Sequence, residues 1–162
     1  MKKLFYILLC VMISNAVFSQ SKKQVKEFKI KSTTTWNANN NSSGTANPVK
    51  DTYEEFDKSG RTTLFIEYKA DGTIKNKKTK VYNTSGDETE ECKYDAAGIT
   101  EKTVYTYNAN GDKASETISD GKGTITKKIL YTYDVKGLTL TKQTYNASNV
   151  LISVKKYVYS YE

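Results

Sequence analysis

Hydrophobic and polar positions alternate along most of this chain, and the alternation is cut at regular intervals by one short formula. Phe56-Asp-Lys-Ser-Gly60, Tyr82-Asn-Thr-Ser-Gly86, Tyr94-Asp-Ala-Ala-Gly98, Tyr107-Asn-Ala-Asn-Gly111 and Tyr133-Asp-Val-Lys-Gly137 share it: an aromatic, Asp or Asn, two free positions and Gly. The aromatic suits a pleated strand. The Asp or Asn side chain can bond backbone two residues on and start a turn. The glycine accepts the positive φ of a hairpin loop that closes through a type I turn and a G1 bulge. Tyr145-Asn-Ala-Ser-Asn149 places Asn, the next most tolerant residue, at the glycine position.

The turn glycines stand at 60, 72, 86, 98, 111, 123 and 137, with Asn149 as the eighth member. Their separations are 12, 14, 12, 13, 12, 14 and 12 residues, so the unit is two strands and two turns, about 26 residues long. The spacing predicts strands over 49–56, 61–68, 73–82, 87–94, 99–107, 112–119, 124–133, 138–145 and 150–161. Loops this short join only antiparallel neighbours. Phe28, Ile30 and Ser32 alternate with Lys29 and Lys31, which predicts one more strand, lysine-rich and suited to a sheet margin. No stretch shows a convincing helical period. The expected fold class is all-β: an antiparallel β-meander of about ten strands built from hairpin repeats, forming an open, twisted or curled sheet, with a closed β-barrel as the alternative.

The longer strands carry an aliphatic near their start, Ile74, Ile99, Ile125 or Leu151, and three of them carry paired tyrosines, Tyr105/Tyr107, Tyr131/Tyr133 and Tyr157/Tyr159. Residues i and i+2 share a face, so these tyrosines should stack into a ladder, together with an Ile/Leu/Val cluster on the concave side. The ladder is either the thin core of the sheet or a binding face. Candidate ligand contacts are therefore Trp36, Tyr105, Tyr131, Tyr157 and Tyr159. The last strand, 150–161, is also a candidate for edge-to-edge self-association, with Lys155 and Lys156 placed as gatekeepers against it.

Composition narrows the picture. Lys2 and Lys3 precede an apolar run, Leu4 to Ile13, too short to span a bilayer, and Val17-Phe18-Ser19 has the small-residue spacing of a cleavage site. Residues 1–19 are expected to be a signal peptide cleaved before Gln20, and the protein is expected to be exported to the periplasm, outer surface or medium. Cys10 is not preceded by the small residue that a lipid-anchor site wants. The expected organisation is then 20–48, an N-terminal edge strand and an Asn/Ser-rich loop, followed by 49–162, the hairpin-repeat domain. Beyond residue 19 the single cysteine, Cys92, allows neither an internal disulfide nor a cysteine metal site and is expected to face the sheet interior. The chain has no histidine, which removes the usual general base and the commonest metal ligand. Formal charge is +7, of which the leader lysines supply two, leaving +5 for the exported part. Lys and Glu are interspersed rather than blocked, as on a solvated sheet face. Export makes nucleic acid an unsuitable partner; a glycan or another envelope protein fits better.

Tyr94-Asp-Ala-Ala-Gly98 and Tyr133-Asp-Val-Lys-Gly137, followed by Thr/Lys-rich strands and another Tyr, resemble the YD repeats of RHS-type bacterial proteins over residues 53–161. The chain is more similar still to small secreted bacterial proteins with degenerate YD-like hairpin repeats. The large YD-repeat proteins wind such strands into a shell around a toxin; this sequence has too few units for a shell. The resemblance implies architecture and carries over no catalytic residue.

The remaining motifs point away from chemistry. Asp120-Gly-Lys-Gly123 sits at a turn and lacks the P-loop pattern. Asp57, Asp71, Asp95 and Asp134 are spaced as turn formers, not as calcium ligands. Glu54/Glu55, Glu88, Glu90/Glu91 and Glu101 are numerous, with Glu88 and Glu90 expected on one face. A glycosidase needs two carboxyls facing each other across a pocket, so a carboxylate hydrolase is the weakest of the readings. The expectation is a non-enzymatic, cofactor-free protein with a binding or structural role, with a glycan-binding module using Tyr and Trp36 as the alternative.

Overall fold

The computed structural model describes residues 21–38 and 48–161. The expected leader and most of the Asn/Ser-rich loop lie outside the described residues. The chain begins with α1 (Lys22–Glu27) and continues through β1 (Ser32–Asn37), β2 (Val49–Phe56), β3 (Thr62–Tyr68), β4 (Ile74–Tyr82) and β5 (Glu88–Asp95). Then follow β6 (Gly98–Tyr107), β7 (Lys113–Asp120), β8 (Ile125–Tyr133), β9 (Thr139–Asn146) and β10 (Leu151–Lys156). The strands form one ten-stranded antiparallel sheet in sequence order, open at β1 and β10. The barrel alternative is thereby excluded.

The turns follow the repeat formula. All seven turn glycines have φ between +76° and +134°, and Asn149 has φ +59°. At the Tyr133 turn the Asp134 carbonyl accepts from the Gly137 amide at 3.1 Å, and the Asp134 amide donates to Leu138 at 2.9 Å. One oxygen of the Asp134 carboxylate accepts from the amides of Lys136 and Leu138, both at 2.8 Å. A side-chain oxygen that takes up loop amides explains why Asp or Asn opens every one of these turns except the Gly72 turn, which Lys69 opens and Asp71 serves from within. The Asp95 turn differs, because Asp95 pairs directly with Gly98 and leaves a loop of Ala96 and Ala97.

Each hairpin also carries a bulge beside its turn. Tyr82 pairs with Glu88 while Val81 pairs with Glu90, so Thr89 is the extra residue. Its hydroxyl donates to the Val81 carbonyl at 3.3 Å. Thr63, Thr100 and Thr126 occupy the same place in their hairpins and donate to Glu55, Lys93 and Ile118. Threonine richness is thus partly a bulge requirement: the hydroxyl serves a carbonyl where the ladder is interrupted.

Two expectations fail at the N-terminus. Residues 22–27 form a helix, and the strand starts at Ser32 rather than within the Phe28–Ser32 alternation. Ser21 and Gln24 make a reciprocal capping box, with the Ser21 hydroxyl accepting the Gln24 amide at 3.3 Å. Lys29 at φ +54° ends the helix, and the Ile30 amide returns to the Val25 carbonyl at 2.9 Å. Only the edge position holds: β1 is marginal, but Ser32–Asn37 carries no lysine. A third expectation fails at the other end: β10 stops at Lys156, not at 161. Its partner β9 begins at Thr139, so beyond Tyr157, whose amide bonds the Leu140 carbonyl, there is no strand backbone left to pair with.

The sheet is one layer thick, and each strand packs only against its sequence neighbours. Among the described residues only Val25, Cys92, Ile129 and Thr103 have buried side chains. The expected segregation of aliphatic side chains to one side does not occur. Strand pairing places Phe65, Ile118 and Ile129 on one face and Leu64, Ile66, Val104 and Leu130 on the other. The aliphatics at the strand starts, Ile74, Ile99, Ile125 and Leu151, are exposed. A single layer offers no second surface against which to bury them, so neighbours within the sheet share what burial there is.

Candidate functional site

The tyrosines fall into two classes with different duties. The second of each pair is fastened to the backbone. Tyr107 donates its hydroxyl to the Glu88 carbonyl at 2.6 Å, Tyr133 to Lys113 at 2.7 Å and Tyr159 to Thr139 at 2.8 Å. Tyr82 does the same to Thr62 at 2.9 Å. In every case the acceptor is the residue paired with the aromatic of the preceding turn formula, or its equivalent one repeat later. These clamps tie each unit to the one before it. The period in the sequence contained them, but spacing alone does not reveal which of two tyrosines spends its hydroxyl on the backbone.

The first of each pair faces side chains instead. Tyr105 pairs with Glu116, Glu116 with Ile129, and Thr103 with Glu91, so all five lie on one face, here called the tyrosine face. Lys80 holds the place in its unit that Tyr105, Tyr131 and Tyr157 hold in theirs. It reaches Glu88 at 2.8 Å and Glu91 at 3.6 Å. Burial works against the Lys80 ammonium, but its bond to Glu88 and the charges of Glu88 and Glu91 prevail and raise its pKa. The bulge turns Glu88 onto this face, whereas Glu90 pairs with Lys102 across the sheet at 2.7 Å. The expectation that Glu88 and Glu90 share a face is therefore corrected: the extra residue at the bulge shifts the alternation.

Tyr105 is half-buried between these acids. Partial burial, and then the negative charges of Glu88, Glu91 and Glu116, push its phenol pKa well above the ordinary tyrosine value. Lys113 sits 4.2 Å from its ring centroid and donates to Glu116 at 3.1 Å. Its hydroxyl has no hydrogen-bond partner among the described residues. Tyr131 donates to the same Glu116 oxygen at 2.8 Å, and burial followed by that bond raises its pKa too. Lys142 lies 5.4 Å from the Tyr131 ring. Lys113 and Glu116 were not singled out from the sequence; their signal was present only as the residues facing Tyr105 once the bulged register is known.

Tyr157 and Tyr159 continue this face and are 41% and 40% exposed. Trp36 is 62% exposed but stands on β1, at the far edge of the sheet. The structure thus brings Tyr105 and Tyr131 together around Glu116, extends them toward Tyr157 and Tyr159, and separates Trp36 from all four. The arrangement offers rings, ammonium groups and carboxylates on an open surface. Each acid of the group is held by a lysine or a tyrosine. Two further carboxylates, Glu55 and Asp57, line a groove beside α1, but Asp57 is locked by Arg61 at 2.7 Å and its pKa is lowered. A general acid needs a raised pKa, so Asp57 is unsuited to that role. Although burial opposes it, the fall in the Asp57 pKa follows from amide and guanidinium bonds of Arg61 and the amide of Ser59.

Cys92 is buried with a raised thiol pKa, first from burial and then from Glu90, which its thiol contacts at 3.4 Å. Among the described residues no cluster of three Cys, Asp or Glu side chains could hold a metal ion, and no helix is long and apolar enough to cross a membrane. No protein-family model matches the chain, and no curated protein matches it at a significant level.

Proposed function

We propose that this is an exported, non-enzymatic β-repeat protein that binds or braces other components of the cell envelope through its sheet. One observation carries the reading: the ten strands make a single layer, so both faces are open to partners. A flat surface of rings and paired charges suits recognition of an extended or repetitive partner better than enclosure of a substrate. The leader-like residues 1–19 and the YD-like repeat formula support the envelope setting. Fractionation of producing cells with N-terminal sequencing tests it. The account expects an envelope or external protein beginning at Gln20; a cytoplasmic protein retaining Met1 contradicts it.

A glycan is the second reading, favoured by the free hydroxyl of Tyr105 and the exposure of Tyr157 and Tyr159. A pyranose could lay its C–H face on these rings and its hydroxyls on Lys113 and the nearby acids. Trp36 would not share that site. A glycan-array screen of the purified protein decides it: binding that Tyr105→Ala and Tyr157→Ala abolish supports this reading, and uniform failure removes it. Self-association through 150–161 belongs to the first reading. All six residues of β10 are exposed along a free sheet edge, and sedimentation equilibrium reads it directly.

A further inference from the structure

A groove of about 910 Å³ lies between the α1–β1 connection and the end of β2. This is within the range of roughly 300–1,000 Å³ typical of small-molecule sites. Ile30, Tyr53 and Phe56 give it an apolar floor, and Val25, beside them, is buried. Lys26, Lys29, Lys31 and Lys58 line it as well. None of these four forms a salt bridge among the described residues, whereas Lys75, Lys80, Lys93, Lys102 and Lys113 on the sheet each hold a carboxylate. Of the two acids at the groove, Asp57 is paired with Arg61, and Glu55, which accepts from the Tyr53 hydroxyl at 2.9 Å, is the one carboxylate facing the four ammonium groups. A second, basic hollow shares Lys26 and adds Lys22 and Lys23. The groove thus gathers four lysines around an apolar surface, in excess over the acids beside them.

We propose that this groove binds a single-chain anionic amphiphile, of which a fatty-acid carboxylate is the type, with the chain on the Ile30–Tyr53–Phe56 floor and the head group among the lysines. The occupant must be both apolar, to cover the floor, and anionic, to meet the excess of ammonium groups. A concavity of this size suits a chain that enters it better than a flat bilayer that would bridge it. The site goes beyond the proposed function, because it uses neither the tyrosine face nor the free β10 edge.

Myristate titrated into the purified protein, followed through the methyl resonances of Val25 and Ile30, tests it. Saturable binding with shifts centred on those methyls is expected, and myristyltrimethylammonium, which keeps the chain and inverts the head charge, should bind at least ~10-fold more weakly. This comparison needs no variant. Lys26→Glu/Lys31→Glu/Lys58→Glu should weaken myristate binding by a similar factor, while Lys122→Glu/Lys127→Glu/Lys128→Glu on the exposed sheet should leave it unchanged. Absence of saturable binding, shifts scattered over the open sheet, or equal binding of the two amphiphiles would overturn the proposal. Binding to phosphatidylglycerol vesicles without binding of myristate would also overturn it, in favour of a membrane surface.

Discussion

The two ends of the sheet are built differently. At the first end α1 folds over the β2–β3 turn and supplies Val25, the most deeply buried side chain described, at 1% exposure. At the other end β10 lies bare, with Leu151, Ile152, Val154 and Val158 all exposed. Both ends face the same problem, an edge of unpaired backbone with little core behind it. Six helical residues, held by a capping box and an αL terminus, give the first end a small core of its own. The second end has only its ladder with β9, the two lysines Lys155 and Lys156, and the Tyr159 clamp. In a single-layer sheet the deepest burial falls where something lies on top of it, while Cys92, Thr103 and Ile129 are buried by neighbours within the middle of the sheet.

The sharpest way to break this contrast is at the turn glycines. A Cβ on Gly60 would stand 2.5 Å from the Lys22 carbonyl oxygen, at φ +76°, whereas a Cβ on Gly72, at φ +80°, meets nothing within 4 Å. Gly72→Ala therefore costs only the left-handed backbone term, roughly 1–2 kcal/mol. Gly60→Ala adds displacement of α1, for roughly 3–4 kcal/mol in all. Chemical denaturation of the two variants measures the difference, and equal losses would mean that α1 does not rest on that turn.

A smaller effect compares clamps in the middle and at the bare end. Tyr133→Phe strands the Lys113 carbonyl in a half-buried place and should cost about 1 kcal/mol. Tyr159→Phe removes the same bond where water can replace it, and should cost only a few tenths. Thermal unfolding of the pair checks the order; a larger loss at Tyr159 would show that the bare end is not bare in solution.

The smallest effect is confined to alkaline solution. The phenols of Tyr105 and Tyr131 have raised pKa values, first because they are partly buried and then because of nearby Glu88, Glu91 and Glu116 for Tyr105 and the Glu116 bond for Tyr131. A raised folded-state pKa contributes stability in full below the unfolded value, about 10, and loses it as the pH climbs beyond. Ultraviolet titration should show part of the tyrosine absorbance change delayed until the sheet melts, and Tyr105→Phe/Tyr131→Phe should reduce the delayed part, leaving that of Tyr82, Tyr107 and Tyr133. A single transition near pH 10 in the folded protein would contradict it.

The strands were legible because each is fenced by a residue that must adopt positive φ; the eight positions read from the sequence are the eight observed in the hairpins. The helix was not, although Ser21-Lys-Lys-Gln24 spells a capping box. Phe28, Ile30 and Ser32 alternate by coincidence, around a non-glycine residue, Lys29, in the left-handed region. The candidate site was legible only in part. Paired tyrosines on one face follow from period two, but the bulges that carry Glu88 and Lys113 to that face shift the register locally, and the sequence does not mark which partner residue they bring. The division of labour within each tyrosine pair is likewise a property of the register. Trp36 was grouped with the tyrosines by residue type, whereas eight strands, β2 to β9, lie between the two edges of the sheet.

Native-state hydrogen exchange on the purified protein, resolved by residue, tests most directly whether this is one open layer capped at a single end. Amides of β5 to β8 and those under α1 should be the slowest, with protection falling steadily through β9 to β10, which should exchange first among the strands. Protection of β10 equal to that of β6 would contradict the open sheet and show that its last strand is covered.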